Sequence, residues 1–169
     1  QKWVHSEFKN AMQITEDSIK RNKKITFALR NQYYMAKNIK ECLQDRILVL
    51  DGGMGTMIQS FHLNEEDYRG EFAKDSPLMQ KGNNDLLCIT RPDIIQNIHK
   101  RYLDVGADII ETCSFNSQRI SMADYGMEGC ITELNTAAAR IARSAADEYT
   151  KMNPDKPRFV AGSVGPTNK

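Results

Sequence analysis

The chain has 169 residues, 40% of them apolar and 27% charged, with a formal net charge of +1. That composition belongs to a single soluble globular domain able to bury a core, and it excludes disorder as the default state. A near-neutral balance gives no reason to expect nucleic acid or an anionic membrane as partner.

No apolar run approaches the ~20 residues that span a bilayer. The N-terminus "QKWVHSEFKN" also lacks the apolar centre of a signal peptide, so a cytoplasmic location is expected. Cys42, Cys88, Cys113 and Cys130 stand far apart without a C-x-x-C pair, which favours reduced thiols. With His5, His62 and His99 added, no spacing resembles a zinc site.

In chain order, residues 1–45 are polar and basic, carrying "KRNKK" and a modest helical pattern around "YYMAKNIKECLQD". They read as a partly helical extension preceding a domain at 46–169. The charge supports the division: ten basic residues meet five acidic ones in the first 46, and thirteen meet seventeen thereafter.

The domain begins with "RILVLDGGMGTMIQ", an apolar run that stops at Asp51 and is followed by Gly52, Gly53 and Gly55. This predicts a buried strand with a glycine-rich exit. Residues 61–88 fit no element cleanly, and a connection this long predicts a substrate-side loop or lid.

"TRPDIIQNIHKRYLDVG" predicts a helix, with Thr90 as cap, Pro92 in the first turn, Asp93 in capping-box position and Gly106 as the stop. Ile94, Ile95, Ile98, Tyr102 and Leu103 form its apolar stripe. A second strand follows in "ADIIETCSFN". A second helix is marked by Ile131, Leu134, Ala138, Ile141 and Ala145, ends at "NPDKP", and leads to a third strand in "RFVAGSVGPT". Alternating strands and helices predict an α/β fold with parallel strands.

Sites in such folds form at the carboxyl ends of strands. Here those ends carry Asp51, Gly52 and Gly53, then Glu111, Thr112 and Cys113, then residues 162–167. Two carboxylates on one rim could hold an ammonium group or position a proton. Glycines permit positive φ and let a ligand reach main-chain N–H groups. "DGGMGT" is neither G-x-G-x-x-G nor a P-loop, so a phosphate site is not indicated.

Several long words stand together in one order: "RILVLDGGMGTMIQ", "LNEEDYRG", "KGNNDLL", "RPDIIQNIHKRYLDVGADIIET", "MADYGME" and "RFVAGSVGPTNK". From about residue 39 to 169 they closely resemble the start of the homocysteine-binding domain of the cobalamin-dependent methionine synthase family, the 5-methyltetrahydrofolate–homocysteine methyltransferases. The resemblance implies a (β/α)₈ TIM barrel, of which this chain carries the first three βα units. It implies homocysteine and zinc at the C-terminal face, with a methyl group passing from methylcobalamin to homocysteine to give methionine. Folate- and cobalamin-binding modules and the remaining barrel strands become the expected partners.

Carried over position by position, the resemblance sets Asp51 against the amino acid's ammonium group, with Gly52 and Gly53 keeping the floor open. It places Glu111 on the same rim, with Thr56, Asn116 and Thr167 as further binding residues. Cys113 stands where the family usually has asparagine, exchanging an amide that both donates and accepts for a thiol. The family's zinc-binding cysteine words are absent, so no catalytic residue and no metal ligand is assigned. Zinc and cobalamin are not expected on this chain, which reads as an inactive part of a longer barrel, with Met35 as a candidate natural start. Shorter homocysteine methyltransferases and the betaine-dependent enzyme share a sparser version of the pattern. The alternatives are therefore a cobalamin-independent homocysteine S-methyltransferase and a non-catalytic binding or assembly chain.

Overall fold

The computed structural model describes residues 37–167, so the expected extension upstream of Lys37 and the candidate start at Met35 lie outside the described residues. The first element, α1 (Ile39–Asp45), begins with a capping box. Asn38 accepts the Glu41 N–H at 3.1 Å, and the Glu41 carboxylate accepts the Asn38 N–H at 2.8 Å. Cys42 is its buried residue, and the compact unit containing the helix begins at Lys37.

The sheet is small and parallel. β1 (Ile109–Glu111) pairs with β2 (Phe159–Ala161) in the register Ile109 to Phe159, Ile110 to Val160 and Glu111 to Ala161. On the other side of β1 the expected first strand is reduced to one parallel bridge, Leu50 with Ile109. The Asp51 N–H donates to the Ile109 carbonyl at 2.9 Å, and the Ile109 N–H to the Val49 carbonyl at 3.1 Å.

The expected burial of residues 47–50 does not hold. Ile47 is 87% exposed, Val49 56% and Leu50 49%. An apolar run reports what could cover it; among the described residues only β1 lies alongside.

Helices line one face of the sheet. α2 (Met54–Gln59) and α3 (Glu65–Arg69) precede a 3₁₀ turn at Asn84–Leu86 that runs into α4 (Leu87–Thr90). α5 (Pro92–Asp104) buries Ile94, Ile95, Ile98 and Leu103 as the stripe predicted, with Tyr102 half-buried. Its capping differs from expectation. Thr90 ends α4, its hydroxyl donating back to the Leu86 carbonyl at 3.4 Å, and the Asp93 carboxylate is taken by the Arg91 guanidinium. Gly106 does provide the stop, at φ +105°.

After α6 (Arg119–Met122) and two 3₁₀ turns, α7 (Ile131–Met152) presents Leu134, Ala138, Ala142, Ala145 and Ala146 inward. Ala142, Ala145 and Ala146 pack with Leu103 and the fully buried Ile110. Small side chains there let the helix approach the central strand closely.

Residues 61–88 are not a loose lid. The Glu65 carboxylate accepts the Gln80 N–H at 2.8 Å, the Lys81 N–H and the Arg69 Nε at 2.6 Å, while Arg69 reaches the Ser76 and Leu78 carbonyls. Tyr68, Ala73, Leu86, Leu87 and Cys88 enter the core. The sequence hides this because its polar letters serve internal hydrogen bonds.

His99 on α5 is fully buried, and among the described residues neither ring nitrogen has a partner. Burial pushes its pKa down to about 4 from 6.5, so the unfolded chain takes up the proton first. Stability from this group is present above pH 6.5 and is lost as pH falls towards 4. Urea unfolding is expected to show about 2 kcal/mol less stability at pH 5 than at pH 7 from this residue. His99→Leu should remove that part of the slope; an unchanged slope would contradict it.

Candidate functional site

At the carboxyl ends of the strands, Asp51 closes the short ladder with its side chain. Where pairing with β1 would continue through a main-chain carbonyl, the Glu111 N–H instead donates to Asp51 Oδ2 at 3.0 Å. This ties the two strand ends together. The other oxygen, Oδ1, is buried and among the described residues has no hydrogen-bond partner. Burial pushes the Asp51 pKa up to about 6; the Glu111 N–H opposes that, and the Glu111 charge adds to it.

Next come the glycines. None of Gly52, Gly53 and Gly55 has positive φ, so the conformational reason for them does not apply. Close approach does. A Cβ on Gly52 would lie 3.2 Å from the Tyr102 hydroxyl, and that hydroxyl donates to the Gly53 carbonyl at 3.4 Å. Gly53 caps α2 without any side-chain hydrogen bond.

These groups border a cavity of ≈ 370 Å³. Asp51, Gly52, Gly53, Glu111 and Asn116 all line it. Thr56 and Thr167 do not: Thr56 is exposed on α2 with its hydroxyl towards Gly53, and Thr167 is exposed beyond β2. Asn84 and Asp85 also line the cavity, from the segment read as a substrate-side loop or lid. Asp85 is missed in sequence because an acidic residue before an apolar helical run reads as a helix-start signal. Met54, Thr112, Phe115 and Ser163 complete the wall with Gly55 and Cys113.

Three carboxylates therefore face this space, and among the described residues no lysine, arginine or histidine lines it. Such a cavity favours a cationic group and disfavours an isolated anion.

The wall beyond β1 is firmly tied. Ser114 Oγ lies 2.6 Å from Thr112 Oγ1 and 2.9 Å from the Ser163 carbonyl, and the Ser163 N–H donates back to Thr112 Oγ1 at 3.0 Å. The Gly165 N–H donates to the Phe115 carbonyl at 2.8 Å, and a Cβ on Gly165 would sit 2.5 Å from that oxygen. Gly165→Ala should therefore push the wall aside and cost about 2 kcal/mol in urea unfolding. A stability within experimental error of the parent would show that the contact yields freely.

The described residues do not fit a zinc site. Among them no three His, Cys, Asp or Glu side chains group to hold a metal ion. Cys113 is the thiol of the cavity. Contact with Cys88, then burial, then the Asp85 charge push its pKa well up. Among the described residues, no helix is long and apolar enough to cross a membrane.

A profile of the family described as homocysteine S-methyltransferase matches residues 48–169. The homocysteine methyltransferase MmuM from Escherichia coli resembles the chain in three solved forms. The metallated form gives a TM-score of 0.58 at 27% identity, covering 76% of this chain and 42% of that one. The oxidised form gives 0.59 at 27% identity over 77% and 41%, and the apo form 0.50 at 25% over 74% and 39%. The chain thus spans about two fifths of the length of the structures it matches.

Proposed function

The chain belongs to the homocysteine S-methyltransferase family, and on that premise we propose that its cavity binds the amino-acid end of homocysteine. The observation that carries this is the buried Oδ1 of Asp51, beside Glu111, which among the described residues has no partner and faces a space lined by no basic side chain. An ammonium group supplies the missing donors and the compensating charge together. Gly53, Met54 and Gly55, at the start of α2, line the same space and leave room for the rest of the amino acid. Gly52 and Gly53 are the floor that permits that approach, Asn116 offers an amide at the rim, and Thr56 and Thr167 stand outside the cavity.

We infer further that the Leu50 bridge, β1 and β2 are the first three strands of a (β/α)₈ barrel. Their parallel order along the chain and the likeness to MmuM support this. Methyl transfer is then a property proposed for the whole barrel. A homocysteine thiol with pKa near ~8.5 is mostly protonated at neutral pH. Three carboxylates raise rather than lower that value, so this cavity holds the amino acid and does not activate its sulfur. The resemblance implies zinc on the family's cysteine words as the group that would lower the thiol pKa, and no described residue is assigned to it.

The resemblance to cobalamin-dependent methionine synthase favours methylcobalamin as donor, with folate and cobalamin modules as partners. The likeness to MmuM supports the second reading, a cobalamin-independent homocysteine S-methyltransferase. Both share the same amino-acid cavity.

Isothermal titration with L-homocysteine and with 4-mercaptobutanoate, which lacks the amino group, tests the proposal. Homocysteine is expected to bind at least tenfold more tightly. Equal affinity, or none for either, would refute it.

A further inference from the structure

We propose that Asp85 is the positioning residue of this cavity, its carboxylate fixing the turn at residues 113–117 that forms one wall. This rests on the homocysteine reading for its ligand but not for its geometry. Asp85 is 4% exposed, and among the described residues no lysine or arginine pairs with it. A carboxylate placed there without a counter-ion is costly unless neutral donors satisfy it.

Those donors all come from the wall. Oδ2 accepts the Asn116 N–H at 2.7 Å and the Ser117 hydroxyl at 2.9 Å, and the Cys113 thiol approaches Oδ1 at 3.9 Å. Three lining residues, Cys113, Phe115 and Asn116, lie on this one turn. The carboxylate itself is held on a rigid base, since it sits in the 3₁₀ turn followed by the fully buried Leu86 and Leu87. On the far side Asn135 of α7 donates to the Ser117 carbonyl at 2.8 Å, so the turn is gripped between two packed elements.

The consequence is a division of labour. Asp51 and Glu111 face the ligand's charge, while Asp85 spends its own charge on main-chain and hydroxyl donors and so sets where Asn116 and Cys113 stand. Burial holds its pKa above the usual carboxylate range, in keeping with a group stabilised only by neutral partners.

The test uses the 169-residue chain and its Asp85→Ala, Asp85→Asn and Ser117→Ala variants. Homocysteine affinity is read by titration, and hydrogen exchange is read peptide by peptide. Asp85→Ala is expected to weaken homocysteine binding at least tenfold and to speed exchange across residues 113–117, with exchange in α5 and α7 unchanged. Asp85→Asn keeps an acceptor oxygen and is expected to restore affinity to within about threefold of the parent. Ser117→Ala should speed exchange in the turn alone, and with Asp85→Asn it decides the matter if Asp85→Ala does not fold.

Unchanged exchange in the turn for Asp85→Ala and Ser117→Ala would overturn the proposal, as would exchange rising equally in α5, α7 and the turn. If the parent chain fails to bind homocysteine, the functional reading falls, and the local exchange still decides whether Asp85 holds the wall.

Discussion

Replacing Asp51 by asparagine is expected to weaken homocysteine binding more than a hundredfold. The substitution keeps the size of the side chain and an oxygen for the Glu111 N–H, so the strand ends stay joined. What it removes is the charge opposite the ammonium group. Truncating one partner of a desolvated charge pair costs about 3 kcal/mol, which is the hundredfold in affinity. The binding should also follow pH. With its pKa raised to about 6 in the free protein, Asp51 is protonated below that value and must release the proton to meet a cation. Affinity for homocysteine should therefore fall as pH drops through 6, by up to about tenfold per unit. Asp51→Asn should be weak and flat over the same range. An Asp51→Asn chain that binds as tightly as its parent removes the residue from the site.

The second large effect lies at the opposite end of the strands. Arg46, Asp108 and Arg158 each sit immediately before or near a strand entrance, and Asp108 is 1% exposed. Its Oδ2 accepts from Arg46 Nη1 at 2.8 Å and from the Val49 N–H at 3.0 Å, and Lys156 and Arg158 stand 3.7 and 3.9 Å from Oδ1. Burial would raise the Asp108 pKa, but the Arg46 hydrogen bond and the Val49 N–H outweigh it and leave the carboxyl below its usual range. Asp108→Asn leaves three cations around a neutral amide. Urea unfolding is expected to show a loss of about 4 kcal/mol, the cost of an uncompensated buried charge. Homocysteine affinity, measured while the variant is still folded, should be unchanged because the cluster is at the far end from the cavity. A loss below 1 kcal/mol would show that solvent reaches the cations freely.

Much of this arrangement is legible in the sequence. Helix α5 is visible because isoleucines at 94, 95 and 98 and Leu103 recur on one face, and α7 because alanines and Leu134 do the same. The acidic residues at the strand ends are visible because Asp51 and Glu111 interrupt apolar runs, and a charge at such a place needs a reason. Burial of residues 47–50 is misjudged, since composition reports affinity for a covering layer and not its presence. Of the two reasons expected for the glycines after Asp51, positive φ is not seen; at Gly52 a Cβ would press on the hydroxyl of Tyr102, fifty residues later, a contact no local pattern announces. Asp85 is illegible for a related reason. Its partners, Asn116 and Ser117, are about thirty residues away, and only the packing of one turn against another reveals them.

The most direct measurement is a crystal structure of the chain with L-homocysteine bound. The account predicts the amino nitrogen within about 3 Å of Asp51 Oδ1, next to Glu111, with the rest of the amino acid against Gly52 and Gly53. Homocysteine lodged elsewhere, or bound with its carboxylate turned towards Asp51, would contradict it.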